Sequence, residues 1–231
     1  MRNRIIGLAA AALASALGGC GDVEETGVLS LTQVSRISIE EDGCGAPDKE
    51  LVPLLAYDAG VGMLTNSEYL LGLWLSNSLV ANDDLEGAAT GRINTNRIQV
   101  QRIEVEFIDR ENWGFLPERL EVGMPFVVDS ESEIGWPTYL IPLSVAQALV
   151  EHPDSPIRQS NSDWVSLPIR IKAKGELLDG TAVESNSFGL NLTVCNECSG
   201  GCPIGYEAQG CTIAQPDMYE CVEAETEEPA Q

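Results

Sequence analysis

The sequence predicts an all-β fold, an antiparallel β-sandwich with one short helix and a small disulfide-rich C-terminal lobe. Three observations carry this. Apolar residues recur with period two along most of the chain after residue 28. About seven such runs are separated by connections rich in Gly, Pro, Asn and Asp. Neither a strand–helix–strand rhythm nor a repeat of fixed period accompanies them, which excludes a doubly wound parallel sheet.

Leu29, Leu31, Ile37 and Ile39 share one parity and predict a half-buried strand bent in its middle. Residues 40–66 mix Gly, Pro and Asp with short apolar pieces and read as an irregular connection. "EYLLGLWLSNSLV" (68–80) is the most apolar strand, buried on both faces, with Trp74 in the core. A polar loop (81–97) precedes "IQVQRIEVEFI". There Ile98 and Val100 share one parity and Ile103, Val105 and Phe107 the other. A regular strand cannot change phase, so a β-bulge is expected near Gln101-Arg102.

Shorter strands are expected at 119–128 and 138–142, with "DSESEIGWP" as the loop between them. "PLSVAQALVEHP" predicts the helix: Ser144 and Gln147 form a capping-box pair, Ala146, Leu149 and Val150 an apolar face, and Pro153 a stop. Residues 164–174 alternate most cleanly. Val165, Leu167, Ile169, Ile171 and Ala173 face inward, with Arg170, Lys172 and Lys174 outward and Pro168 marking an edge or bulge. A turn at Asp179-Gly180 leads to a second alternating strand, Phe188 to Val194, antiparallel to the first. The order of strands resembles immunoglobulin-like or fibronectin-like domains.

The first twenty residues carry Arg2 and Arg4, an uncharged apolar run from Ile5, and then Gly18-Gly19-Cys20. This is the layout of a secretory signal peptide, too short for the roughly 20 apolar residues of a spanning helix. Leu17-Gly18-Gly19-Cys20 resembles the lipobox of bacterial lipoproteins. The resemblance implies cleavage before Cys20 and covalent diacylglycerol and fatty acyl groups at that residue. The lipid bilayer is then a partner through the acyl anchor, and the protein is placed in the cell envelope. Gly21 stands where an aspartate would imply retention in the inner membrane, which favours the outer membrane, on its periplasmic or surface side. The organisation expected is a leader (1–19), a lipidated tether (20–27), a β-sandwich (28–194), a cysteine-rich lobe (195–221) and an acidic disordered tail (222–231).

Arg2 and Arg4 leave with the leader, so eleven basic residues face 36 acids and the mature net charge is −25. Such a surface repels nucleic acid, whose phosphates need Lys and Arg. Six cysteines remain beside Cys20: Cys44, Cys195, Cys198, Cys202, Cys211 and Cys221. An even number in an exported chain reads as disulfides, with connectivity left open by the count. Cys195 with Cys44, leaving Cys198 with Cys221, is one arrangement. Cys195-x₂-Cys198 could also open a zinc site, but an oxidising compartment removes the thiolates zinc needs, so no metal and no cofactor is expected. "CPIGYEAQGC" (202–211) resembles the final loop of epidermal-growth-factor-like modules. That resemblance implies a Cys202–Cys211 bridge; it spans ten residues and brings no calcium ligands with it.

Chemistry is sparse. His152, the sole histidine, ends the helix, where an imidazolium would complement the dipole. No Gly-x-Ser-x-Gly elbow or phosphate-cradling loop is present. Acids are too many for their spacing to single out a pair. Trp113 and Trp136, placed in loops, and Trp164, on an outward parity, could form a ligand-contact face. The sequence therefore points to a non-enzymatic binding or structural module that contacts an envelope protein or glycan. A carboxylate-dependent hydrolase and an accessory subunit of an envelope complex are the alternatives.

Overall fold

The structure, a computed structural model, describes residues 27–40, 43–51, 55–81, 95–158, 164–198, 206–210, 214–215 and 219–223. In chain order these hold β1 (Leu29–Glu40), β2 (Gly43–Leu51), β3 (Ala56–Asp58), α1 (Ala59–Thr65), β4 (Tyr69–Asn77) and β5 (Ile98–Phe107). There follow α2 (Arg110–Trp113), β6 (Arg119–Val128), β7 (Ser132–Ile141), α3 (Leu143–Glu151), β8 (Val165–Leu177), β9 (Ala182–Glu184) and β10 (Phe188–Cys195). The last pair, β11 (Tyr206–Gly210) and β12 (Tyr219–Glu223), forms its own two-stranded sheet. One large sheet runs β2-β1-β4-β7; the other runs β3-β10-β8-β5-β6, with β9 beside β8. Pairing is antiparallel except for β3 against β10, which is parallel, so the chain is mostly β with mixed sheets. Among the described residues no helix is long and apolar enough to cross a membrane.

Both large sheets feed one core. Ile98, Val100, Ile103, Val105 and Phe107 of β5 and Leu167, Ile169, Ile171 and Ala173 of β8 are all buried. They pack with Leu71, Leu73 and Leu75 of β4 in a single cluster. Burying each large aliphatic side chain contributes about 1.5–3 kcal/mol. The bulge in β5 lies where the phase change requires it, between Val100 and Arg102, and keeps both halves of the strand facing this core.

A second bulge, between Leu31 and Gln33, has the opposite effect on β1. Leu29 and Leu31 enter the main core, while Ile37 joins Leu70 in a separate cluster on the other face of the four-stranded sheet. The shared parity of Leu29, Leu31 and Ile37 thus hides two different destinations.

Several expectations are corrected. Residues 40–66 hold two strands and a helix. Helix α1 has glycines at 60 and 62 because a Cβ at Gly62 would overlap the Tyr57 hydroxyl and one at Gly60 would meet the Asn196–Glu197 turn. The stretch read as a loop after residue 128 is a tight turn at Asp129–Glu131 followed by β7. Helix α3 begins at Leu143, with the Pro142 carbonyl accepting from Val145 and Ala146. Ser144 therefore lies inside the helix and caps nothing, and the Gln147 side chain donates to Glu151 instead, at 2.9 Å. Strand β8 is interior, and Pro168 is accommodated just past the end of the β5 ladder at Phe107–Ile169. Strand β12 runs to Glu223, two residues into the expected acidic tail.

Candidate functional site

The outward parity of β8 meets that of β5 in register, Arg170 opposite Glu106 and Lys172 opposite Glu104. Period-two alternation alone puts these groups on one face, and antiparallel pairing sets them side by side. Arg170 bridges Glu106 at 3.0 Å, Lys174 bridges Glu104 at 2.6 Å, and Lys172 bridges Glu184 of β9 at 3.1 Å. With Arg119 they border a hollow of about 320 Å³. The hydrogen bond from Lys174 holds the Glu104 carboxyl below its ordinary range, and Glu104 in turn raises Lys174. Glu184 is held down by its bond from Lys172. Glu104 and Glu184 therefore stay ionised at neutral pH and serve as acceptors.

The three tryptophans proposed as a contact face do not form one. Trp113 is fully buried on α2, its Nε1 donating to the Ser166 carbonyl at 3.1 Å, and it cannot reach a ligand. Trp136 is half-buried on β7 and stacks on Phe126 of β6 at 4.9 Å, joining the edge strands of the two sheets. Trp164 stands 40% exposed just before β8. Trp74 is not in the core: it lies half-buried on the outer face of the four-stranded sheet. There its Nε1 donates to Ser35 Oγ at 3.1 Å and Lys49 Nζ sits 4.6 Å from its ring centre. Glu133 holds that lysine at 2.7 Å, and bonds from Lys49 and Thr32 keep its carboxyl low. His152 stacks flat on Phe115 at 4.5 Å, and its Nδ1 accepts from the Asp154 N–H at 3.2 Å.

The same outer face carries a second hollow, of about 420 Å³, bordered by Cys44, Ser67, Glu68, Leu70, Tyr139 and Leu143. Tyr139 is 54% exposed at its rim. Pattern reading places Tyr139 in the strand expected at 138–142 but does not single it out as a contact residue. The alternation Thr138 in, Tyr139 out, Leu140 in was the available signal.

Cysteine placement also departs from expectation. Cys195 is bonded to Cys198, with their Cα atoms 6.0 Å apart, and not to Cys44, which is a free and exposed thiol on β2. Cys221 is disulfide-bonded, to none of these three. Cys20, Cys202 and Cys211 lie outside the described residues, as does their expected chemistry. Buried Asp58 accepts from the N–H groups of Val61 at 3.0 Å and Glu197 at 2.8 Å. Its carboxylate and the two sulfurs lie within 4.8 Å of one another. Joined as a disulfide, the sulfurs are not thiolates and cannot open the zinc site considered for this spacing. No protein-family model matches this chain, and no match was found among the curated proteins.

Proposed function

We propose that this chain is an exported lipoprotein, held by acyl chains at Cys20, whose β-rich body is a non-enzymatic binding or structural module of the cell envelope. The observation that carries the reading is Leu17-Gly18-Gly19-Cys20 directly after a charged and then apolar leader. Two acyl chains are the minimum for lasting attachment, each buried CH₂ adding about 0.8 kcal/mol. Strand β1 begins nine residues past Cys20, so the body lies within about 30 Å of the bilayer even with a fully extended link. The mature charge keeps such a body from adhering to anionic headgroups beside it.

In this reading the two large sheets are the layers of a sandwich, of immunoglobulin-like or fibronectin-like kind, closed at one side by the Trp136–Phe126 stack. Ligand contact falls to the outer face of the four-stranded sheet, at the hollow beside Tyr139, with a protein or glycan of the envelope as occupant. The hydrolase alternative finds no support in the ladder, where lysines hold Glu104 and Glu184 low rather than raised as a general acid would be. Growing cells with an alkyne-bearing palmitate and fractionating their membranes tests the anchor. Wild type is expected in the membrane fraction with label, and Cys20→Ala soluble or unprocessed without it. A wild type both soluble and unlabelled ends the proposal.

A further inference from the structure

The chain leaves β10 through Cys195-Asn196-Glu197-Cys198, and the two sulfurs bond to each other. Chain-entropy stabilisation grows with the loop a disulfide closes, so a bridge across three residues contributes less of it than one that closes a long loop. Nor does this bridge fasten one element to another, since both halves belong to one turn. The C-terminal segment is fastened by other means: Asp58 N–H donates to the Ala214 carbonyl, and the Gln215 amide pairs with both backbone groups of Leu70, all at 2.8 Å.

The surroundings of the bridge are specific. Cys195 is fully buried at the end of β10, in register with Asp58 of parallel β3. Cys198 is half-buried and faces an incoming group more openly. Asp58 caps α1 through Val61 and holds the turn through the N–H of Glu197, which takes a left-handed φ of 53° between the two cysteines. One buried carboxylate thus sets the conformation of the segment that carries both sulfurs.

We propose that Cys195–Cys198 is a thiol–disulfide exchange site that takes two electrons from a dithiol of a partner polypeptide. A partner thiolate attacks Sγ of Cys198; the bond between Cys198 and Cys195 breaks, and Cys195 departs with the electron pair and is protonated. The second partner thiolate then attacks the partner's own sulfur in the mixed disulfide, releasing Cys198. The partner leaves as a disulfide, and its two thiol protons are balanced by those gained at Cys195 and Cys198. Asp58 is a positioning residue: it holds the turn so that Cys198 is the sulfur attacked.

The test uses the intact purified chain in graded reduced glutathione and then dithiothreitol, with exposed thiols alkylated and mapped by mass. Cys195 and Cys198 are expected to be alkylated ahead of Cys221 while tryptophan fluorescence stays native. Cys195→Ser, given oxidised glutathione, should accumulate a mixed disulfide at Cys198, and Cys198→Ser much less at Cys195. Asp58→Ala should slow exchange on the order of ten- to a hundredfold, and Asp58→Asn, which keeps an acceptor oxygen for Glu197, should restore it. The proposal is overturned if the bridge opens only together with that of Cys221 and with loss of the native signal. It is equally overturned if folded Cys195→Ser forms no adduct.

Discussion

The outer faces of the two large sheets are finished in opposite ways. On the six-stranded sheet β5, β8 and β9 present Lys and Arg against Glu, rung by rung, and five of the chain's thirteen basic residues lie there with Arg102 and Arg119 counted. Arg102, Arg170, Lys172 and Lys174 each bridge a glutamate there. The four-stranded sheet shows Trp74 under Lys49, the Ile37–Leu70 pair, the docked Gln215 and the hollow beside Tyr139. Tyr139 stands exposed and Trp74 half-buried there, whereas Ile37 and Leu70 are buried; the proposed ligand contact draws on the exposed Tyr139.

The comparison can be broken at several depths. The largest effect is expected from the core that both faces share: Trp113→Ala should cost about 3–5 kcal/mol, read as a lower midpoint in urea unfolding. Next, Gln215→Ala leaves the N–H and C=O of Leu70 buried and unpaired, at about 1–3 kcal/mol for each group. Hydrogen exchange should rise at Leu70 and proteolysis should release the C-terminal segment, while β5 and β8 stay protected. On the ladder, Glu104→Gln should cost only about 0.5–1 kcal/mol, because its bridge reaches the surface.

Acid sharpens the same point. Glu104 and Glu184 titrate below their ordinary value of 4.5 in the folded chain, so the stability they contribute is complete above that pH. It is lost as pH falls through their lowered values. At the other extreme Lys174 is raised above 10.5, so its contribution holds below that pH and disappears as pH climbs through the raised value. Glu104→Gln should flatten the acid limb of a stability–pH curve. Smallest of all, Tyr139→Ala should move stability by no more than about 0.5 kcal/mol. Lost ligand binding with an unchanged unfolding curve would place the contact on the four-stranded face, and unchanged binding would remove it from there.

How much was legible beforehand follows from how local each signal is. The inward set of β8 and the phase change of β5 are written in consecutive residues, and the sequence yields the faces of the first and the bulge of the second. The turn at Asp179 was also local: Thr181 N–H donates to its side chain at 2.9 Å, and Gly180 takes φ 87°. Strand β2 is a Gly- and Pro-containing edge strand, and α1 carries glycines that only its packing against Tyr57 and the 196–197 turn explains. Trp113 looked like a loop aromatic because its partner, the Ser166 carbonyl, lies 53 residues away. Ile37 kept the parity of Leu31 and still changed face, because one extra residue in β1 leaves no mark in an apolar pattern so short. The candidate site is less visible than the fold: Arg170, Lys172 and Lys174 read as an outward parity, while the Asp58–cysteine cluster needs two distant segments to meet and the hollow at Tyr139 needs three.

The anchor is the claim on which placement and role depend, and the mature N-terminus tests it most directly. Mass analysis of the terminal peptide from protein purified out of native membranes should give a chain that starts at Cys20 and carries a diacylglyceryl group on sulfur. A mature chain that still holds residues 1–19, or one that begins at an unmodified Cys20, contradicts the account.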